Sequence, residues 1–193
     1  MTPVKTRIDG FVGLRATRLP DARGALVRLF DSNLARMLGT GTTWKQILQS
    51  HTAQKNTLRG LHVQLPPHPE AKLVTCQQGQ MFWVVVDVRA GSTTFGQWDA
   101  LTLSGDTGDG FYAAPGLAHG CLSLSDDVVL TIASNEDFKP EFGAGIHWQD
   151  SELGIRWPVQ GTPMLSDAHA AYPSFAAFRR ILCAPEVREA AHA

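Results

Sequence analysis

Between Ala71 and Ala133 the chain alternates short apolar runs with polar turn signals. The runs Ala71–Cys76, Gln80–Val88, Trp98–Leu103, Gly110–Ala114, Cys121–Leu124 and Val128–Ala133 are rich in β-branched and aromatic residues. Between them lie Gln78-Gly79, Ala90-Gly91-Ser92, Ser104-Gly105-Asp106, Pro115-Gly116 and Ser125-Asp126-Asp127. Short, evenly spaced strands with no helices between them predict an antiparallel sandwich or barrel. Leu58–Gln64 reads as a further strand. Strict alternation along it puts Arg59, Leu61 and Val63 on one face and Gly60, His62 and Gln64 on the other. Helical spacing is confined to Asp31–Leu38, with Asp31 or Ser32 as its cap, and to Ser174–Leu182. The expected fold class is all-β with short flanking helices. No repeat, linker or low-complexity tract divides the chain, so residues 1–183 are expected to form a single domain and 184–193 a tail.

Composition narrows the function classes. The chain has 193 residues, 44% hydrophobic and 18% charged, which is enough apolar material for a real core. A formal net charge of −1 argues against a broad basic footprint for nucleic acid. The apolar runs, such as Met81–Val86, are far too short to span a bilayer, and the N-terminal stretch has no apolar signal core. The expectation is therefore no membrane association and a cytoplasmic location. Cys76, Cys121 and Cys183 are widely spaced and form no CxxC pair, so free thiols are expected.

A small β-barrel is either filled or holds one ligand, so the inward polar residues matter most. His62 and Gln64 share a strand face and would point together into a cavity. Lys72 opens the next apolar run. His119, between Ala118 and Gly120 after a turn, has little packing reason to be there. Arg23-Gly24 forms a turn before the apolar run Ala25–Phe30.

Several segments carry a resemblance when taken together. They are Asp21-Ala-Arg-Gly24, Asn56–Gln64 (NTLRGLHVQ), Lys72–Cys76 (KLVTC), Gly79–Arg89 (GQMFWVVVDVR), Thr94–Trp98 (TFGQW), Pro115–Gly120 (PGLAHG), Leu153–Pro158 (LGIRWP) and Leu165–His169 (LSDAH). In order and spacing they resemble the dTDP-4-dehydrorhamnose 3,5-epimerase family of nucleotide-sugar epimerases. The resemblance implies a cupin jelly-roll, a homodimer, no metal or other cofactor, and a 4-keto-6-deoxy sugar carried on a nucleoside diphosphate. It implies a place in deoxysugar biosynthesis of the kind that serves lipopolysaccharide and O-antigen. Such a reaction removes a proton beside a ketone and returns one on the opposite face, which needs a base, an oxyanion stabiliser and an acid. The resemblance makes His62 the base and Lys72 the cation near the sugar O4. Arg59 and Arg23 match pyrophosphate-contacting arginines, one of which reaches over from the neighbouring subunit. His119 matches a second pocket histidine, and Gln49 a glutamine that contacts the nucleobase. Gln64 and Phe138 complete the expected pocket.

Three positions depart from the family pattern. The general-acid tyrosine falls on Ile132, which cannot donate a proton. The aspartate that partners the catalytic histidine falls on His169, with Asp167 two residues away. A glutamate near the nucleobase falls on Arg28, so dTDP, GDP and CDP all stay open as the nucleotide. The reading is an epimerase acting through an enolate at C3, C5 or both, with His62, Lys72 and His169 as its catalytic residues. The alternatives are a ketoisomerase or dehydratase on the same fold and a non-catalytic sugar-nucleotide-binding cupin. A metal cupin built on His62, His119 and His169 is a further alternative, against which Gln64 stands where an HxH pair would need histidine.

Overall fold

A computed structural model describes residues 1–39 and 43–183. The expected tail, 184–193, lies outside the described residues. In chain order the strands and helices are β1 (Thr2–Lys5), β2 (Phe11–Arg15), β3 (Arg18–Asp21), β4 (Gly24–Val27), α1 (Ser32–Met37), β5 (Gln46–Thr52), β6 (Leu58–Gln64), β7 (Lys72–Gln78) and β8 (Gln80–Asp87). They continue with β9 (Trp98–Ser104), β10 (Gly110–Ala113), β11 (Leu117–Ser123), β12 (Val128–Ser134), β13 (Gly143–Gly145), α2 (Asp167–Ala170) and α3 (Phe175–Leu182).

The strands form a jelly-roll sandwich. One sheet has the order β1-β2-β10-β7-β12-β5 and the other β13-β6-β11-β8-β9. From β5 to β13 the chain changes sheet at every connection except β8 to β9. The inner faces close on an apolar cluster that includes Phe11, Val74, Phe111 and Leu130 from the first sheet and Met81, Trp83, Val85 and Leu103 from the second. The outer face of the second sheet is covered by Phe175 and Phe178 of α3, which pack on Leu61, Val63, Val84 and Val86. Both expected helices are present with their caps: Asp31 accepts from the Leu34 N–H, and Ser174 from the Ala177 N–H. Strands β3 and β4 pair only with each other and lie exposed along nearly their whole length.

The structure departs from the sequence expectations at β11, β5 and β6. Strand β11 starts at Leu117 rather than Cys121, because the Pro115-Gly116 turn, with Gly116 at φ +80°, releases the chain straight into the sheet. His119 is thus a mid-strand residue. Strand β5 had no apolar alternation to reveal it: it is an edge strand, with Ile47 and Leu48 exposed.

The third departure decides the site. On β6, His62 pairs with His119 and Arg59 with Cys121, so three steps along β6 match two along β11. The extra residue is a bulge at Gly60, and it moves Arg59 onto the inner face with His62. Simple alternation had put the two on opposite faces. Gly60 has φ +97°, and a Cβ there would lie 2.5 Å from the His119 carbonyl oxygen and 2.7 Å from the Gly120 Cα. Only glycine fits both demands. Gly60→Ala is expected to lower stability by about 2–4 kcal/mol, the cost of strain plus a backbone clash. Urea unfolding of the two proteins checks it; an unchanged midpoint would show that the bulge is not needed.

Candidate active site

A cavity of about 320 Å³ opens between β6 and β13 of one sheet and Glu70, two residues ahead of β7 in the other. Its lining includes His62, Gln64, Glu70, Phe138, His169 and Tyr172. That volume is in the range of small-ligand pockets.

Three imidazoles form a row behind and along this wall. His62 and His119, paired across β6 and β11, meet edge to face with ring centroids 4.4 Å apart. Trp83 stacks on the far side of His119 at 5.8 Å. His119 turns its Nδ1 toward the Leu117 carbonyl, 3.2 Å away, and its Nε2 is buried without a partner. The Nδ1 of His62 is likewise buried and unpartnered, which leaves its other nitrogen to the cavity. Burial pushes the His62 pKa down to about 3, and the nearby positive charge of Lys72 adds to the effect. His119 is held well below its usual range for the same first reason. Both rings are neutral at physiological pH.

The expected pairing of His169 with His62 does not form. The two rings stack at 6.0 Å and 12°, and the Nδ1 of His169 accepts the Gly60 N–H at 3.4 Å. Asp167 is exposed, two residues back along α2 and so on another side of that helix. Tyr172 packs beside His169 at 5.4 Å, over Gly145.

Opposite His62, the Lys72 ammonium pairs with the Glu70 carboxylate at 2.8 Å, and both side chains are largely buried. The second oxygen of Glu70 accepts from the Ser134 hydroxyl at 3.1 Å. Glu70, rather than Lys72, is the member of the pair that lines the cavity. Sequence reasoning missed Glu70. Its signal was a carboxylate two residues before a strand-opening lysine, a spacing that puts both on one side of an extended chain.

The other expected residues divide into those at the site and those away from it. Arg59 lies on the inner face, with its Nε 3.4 Å from the Thr52 hydroxyl. Gln64 is buried, and its amide is already engaged: it donates to the carbonyls of His68 (2.6 Å) and Asp137 (3.0 Å) and accepts from the Lys139 N–H (2.7 Å). It therefore holds the loop that carries Phe138, which is 68% exposed at the cavity rim. Ile132 packs on the interior apolar cluster. Gln49 does not face the site. Leu48 pairs with the inward Ile132, so the next residue, opposite Thr131, points outward. Arg23 stands at the tip of the β3–β4 hairpin, 90% exposed and paired with Asp21, away from the cavity of its own chain. Tyr112 is buried in a cluster on the outer side of the first sheet. Among the described residues no group of His, Cys, Asp or Glu is arranged to hold a metal ion, and no helix is long and apolar enough to cross a membrane.

A neutral imidazole at a cavity wall can take a proton from carbon, and a cation on the facing wall can hold the oxyanion that results. On a jelly-roll sandwich, that arrangement suits an isomerase of the cupin fold, and the similar proteins place the chain in that class. Residues 5–177 match the model of the dTDP-4-dehydrorhamnose 3,5-epimerase family. A dTDP-4-dehydrorhamnose 3,5-epimerase of Mycobacterium tuberculosis is 40% identical over 159 residues, covering 80% of this chain and 78% of that protein. Among solved structures, a dTDP-6-deoxy-D-glucose-3,5-epimerase of Legionella pneumophila in complex with dTDP-4-keto-L-rhamnose superposes with a TM-score of 0.88 at 32% identity, covering 94% and 96% of the two chains. ChmJ, a 3'-monoepimerase of Streptomyces bikiniensis in complex with dTDP-quinovose, gives 0.85 at 30% identity over 94% and 90%. The chain belongs to the dTDP-4-dehydrorhamnose 3,5-epimerase family, and its activity class is that of an epimerase of nucleotide-linked keto sugars.

The buried histidines make stability depend on pH. An imidazole with a folded pKa near 3 and an unfolded one near 6.5 binds fewer protons when folded. Its contribution is complete above pH 6.5 and is lost as the pH falls toward 3. Between pH 7 and 5 the loss is expected to be of the order of 2 kcal/mol for His62, and His119 shifts stability in the same direction. Urea unfolding at the two pH values tests this. A flat profile would mean that the rings are protonated in the folded protein.

Proposed function

We propose that the chain inverts one carbon beside the ketone of a dTDP-linked 4-keto-6-deoxy sugar, in the cytoplasm and as a homodimer. The observation that carries this is His62: a neutral, cavity-facing imidazole opposite the Lys72 charge. The sugar occupies the cavity with its acidic C–H against His62. His62 takes the proton, and the enolate oxygen gains the electrostatic support of Lys72. His119 fixes the ring of His62 from behind, and His169 bounds it from the other side. Arg59, on the inner face at the mouth, meets the diphosphate, for which a guanidinium fork is suited. Phe138 covers the sugar at the rim. The thymidine nucleotide is supported by the dTDP-linked ligands of the two similar structures. Inversion at a single centre is supported by Ile132, which leaves the family's usual donor position without a proton, and by the likeness to a monoepimerase.

The homodimer is supported by the β3–β4 hairpin. Leu19 and Leu26 are exposed on it, and Arg23 at its tip serves no group of its own cavity. The proposal places that arginine on the diphosphate in the partner's site.

Incubation in D₂O with dTDP-4-keto-6-deoxyglucose, followed by NMR, is expected to show deuterium entering at one of C3 and C5. His62→Ala should slow that entry by 10²-fold or more, the usual weight of a general base. No deuterium entry with dTDP, GDP or CDP donors that still bind would overturn the reading. The dimer has its own test. Arg23→Ala is expected to raise KM about tenfold, and mixing it with His62→Ala protein should regenerate tight-binding sites. Failure of the mixture to do so would place Arg23 outside the partner's site.

A further inference from the structure

We propose that Glu70 is the acid that returns a proton to carbon on the face opposite His62, in place of the tyrosine whose position Ile132 holds. This deepens the functional reading above and rests on it. The search for a donor starts with what cannot serve. Ile132 has no O–H or N–H, and it packs on the interior apolar cluster. Tyr172 lies beside His169 and over Gly145, the residue that pairs with His62 across β13 and β6, so it shares the wall of the base. A proton from that side would restore the original configuration. Tyr112 is buried away from the cavity.

Glu70 lies on the facing wall. It lines the cavity, and its side chain is 8% exposed. One oxygen is held by Lys72 at 2.8 Å and the other by the Ser134 hydroxyl at 3.1 Å, a hydroxyl that is also within 3.0 Å of the Glu136 carbonyl. Ser134 pairs with Lys72 across β12 and β7, and Ile132 pairs with Val74 one pleat further in. Ser134 and Ile132 thus share a strand face, and the Glu70 carboxyl is anchored one pleat from the position that lacks its tyrosine. A structural carboxylate in this same chain looks different: Asp87, fully buried, takes side-chain bonds from Arg89, Ser92 and Thr94 and one from the Arg89 N–H. Glu70 has two partners, which leaves acceptor capacity turned toward the cavity.

The step balances without a further reactant. At rest the pair is ammonium and carboxylate. His62 takes the carbon-bound proton, and the electron pair of that C–H bond moves into the enolate. An N–H bond of Lys72 then breaks as its proton passes to Glu70, and the O–H so formed breaks as the proton passes to the enolate carbon. A C–H bond forms on the new face, the ketone is restored and Lys72 is left neutral. The His62 proton leaves to water and Lys72 regains one from water.

Glu70→Gln separates this role from the alternatives, because glutamine keeps the size and an acceptor for Lys72 but cannot relay a proton. With dTDP-4-keto-6-deoxyglucose in D₂O, deuterium entry at the reacting carbon is expected to fall, because glutamine leaves Lys72 without its carboxylate, and inverted product is expected to fall at least about tenfold further. Persistent exchange also certifies that the variant is folded. Adding Ile132→Tyr to Glu70→Gln should recover at least tenfold in inversion. Inversion at the wild-type rate in Glu70→Gln would overturn the proposal, as would exchange and inversion falling by the same factor, which would make Glu70 only a positioning residue for Lys72. Wild-type protein that exchanges no deuterium would instead sink the functional reading, and this proposal with it.

Discussion

An ammonium group enclosed between two β-sheets has to have a carboxylate beside it. Leaving such a charge unpaired costs several kcal/mol, more than most single interactions return. Lys72 meets this demand through Glu70, and much of the site follows from the pair. The cation stands where two sheets converge on an apolar interior, so its field is weakly screened. It helps to keep His62 unprotonated, and the same burial keeps His119 neutral. The imidazoles can then touch edge to face without repelling each other.

In the proposed reaction the same charge has opposite effects on the two halves. It makes His62 a weaker base, because an imidazolium would form close to an ammonium. It also favours the oxyanion that appears when the proton leaves carbon. Only the difference between ground and transition state affects the rate, and the charge on oxygen is absent from the ketone and develops as the proton leaves carbon. A carboxylate partner would strengthen such a base; beside His62 stands His169 instead, a neutral ring that accepts a backbone hydrogen bond from Gly60. The proposed chemistry thus leans on Lys72.

What could be read from the sequence follows from which strands are buried on which faces. The runs in β7 to β10 and β12 announced themselves because each is a strand of the sandwich with apolar positions to bury. Edge strand β5 and the hairpin β3–β4 bury little and left no pattern. The face of Arg59 was misread because alternation has no means of counting a bulge; the only mark of it is Gly60. Gln49 was placed by likeness and faces outward by the register of β5 on β12. Glu70 passed unnoticed because a glutamate near a lysine in a proline-rich loop looks like an ordinary surface pair, and burial is a property of the fold. His62, Lys72 and His119 were legible as types that packing alone does not call for; His62 lines the cavity, with His119 packed behind it and Lys72 held beside the lining Glu70.

Gln64 has a consequence of its own. Its amide ties the strand that carries His62 to the backbone at Asp137 and Lys139. Base and rim therefore move as one body. Displacing the rim on this side would break three partly buried hydrogen bonds to Gln64. The width of the opening on this side is thus tied to the same amide that steadies the strand of His62.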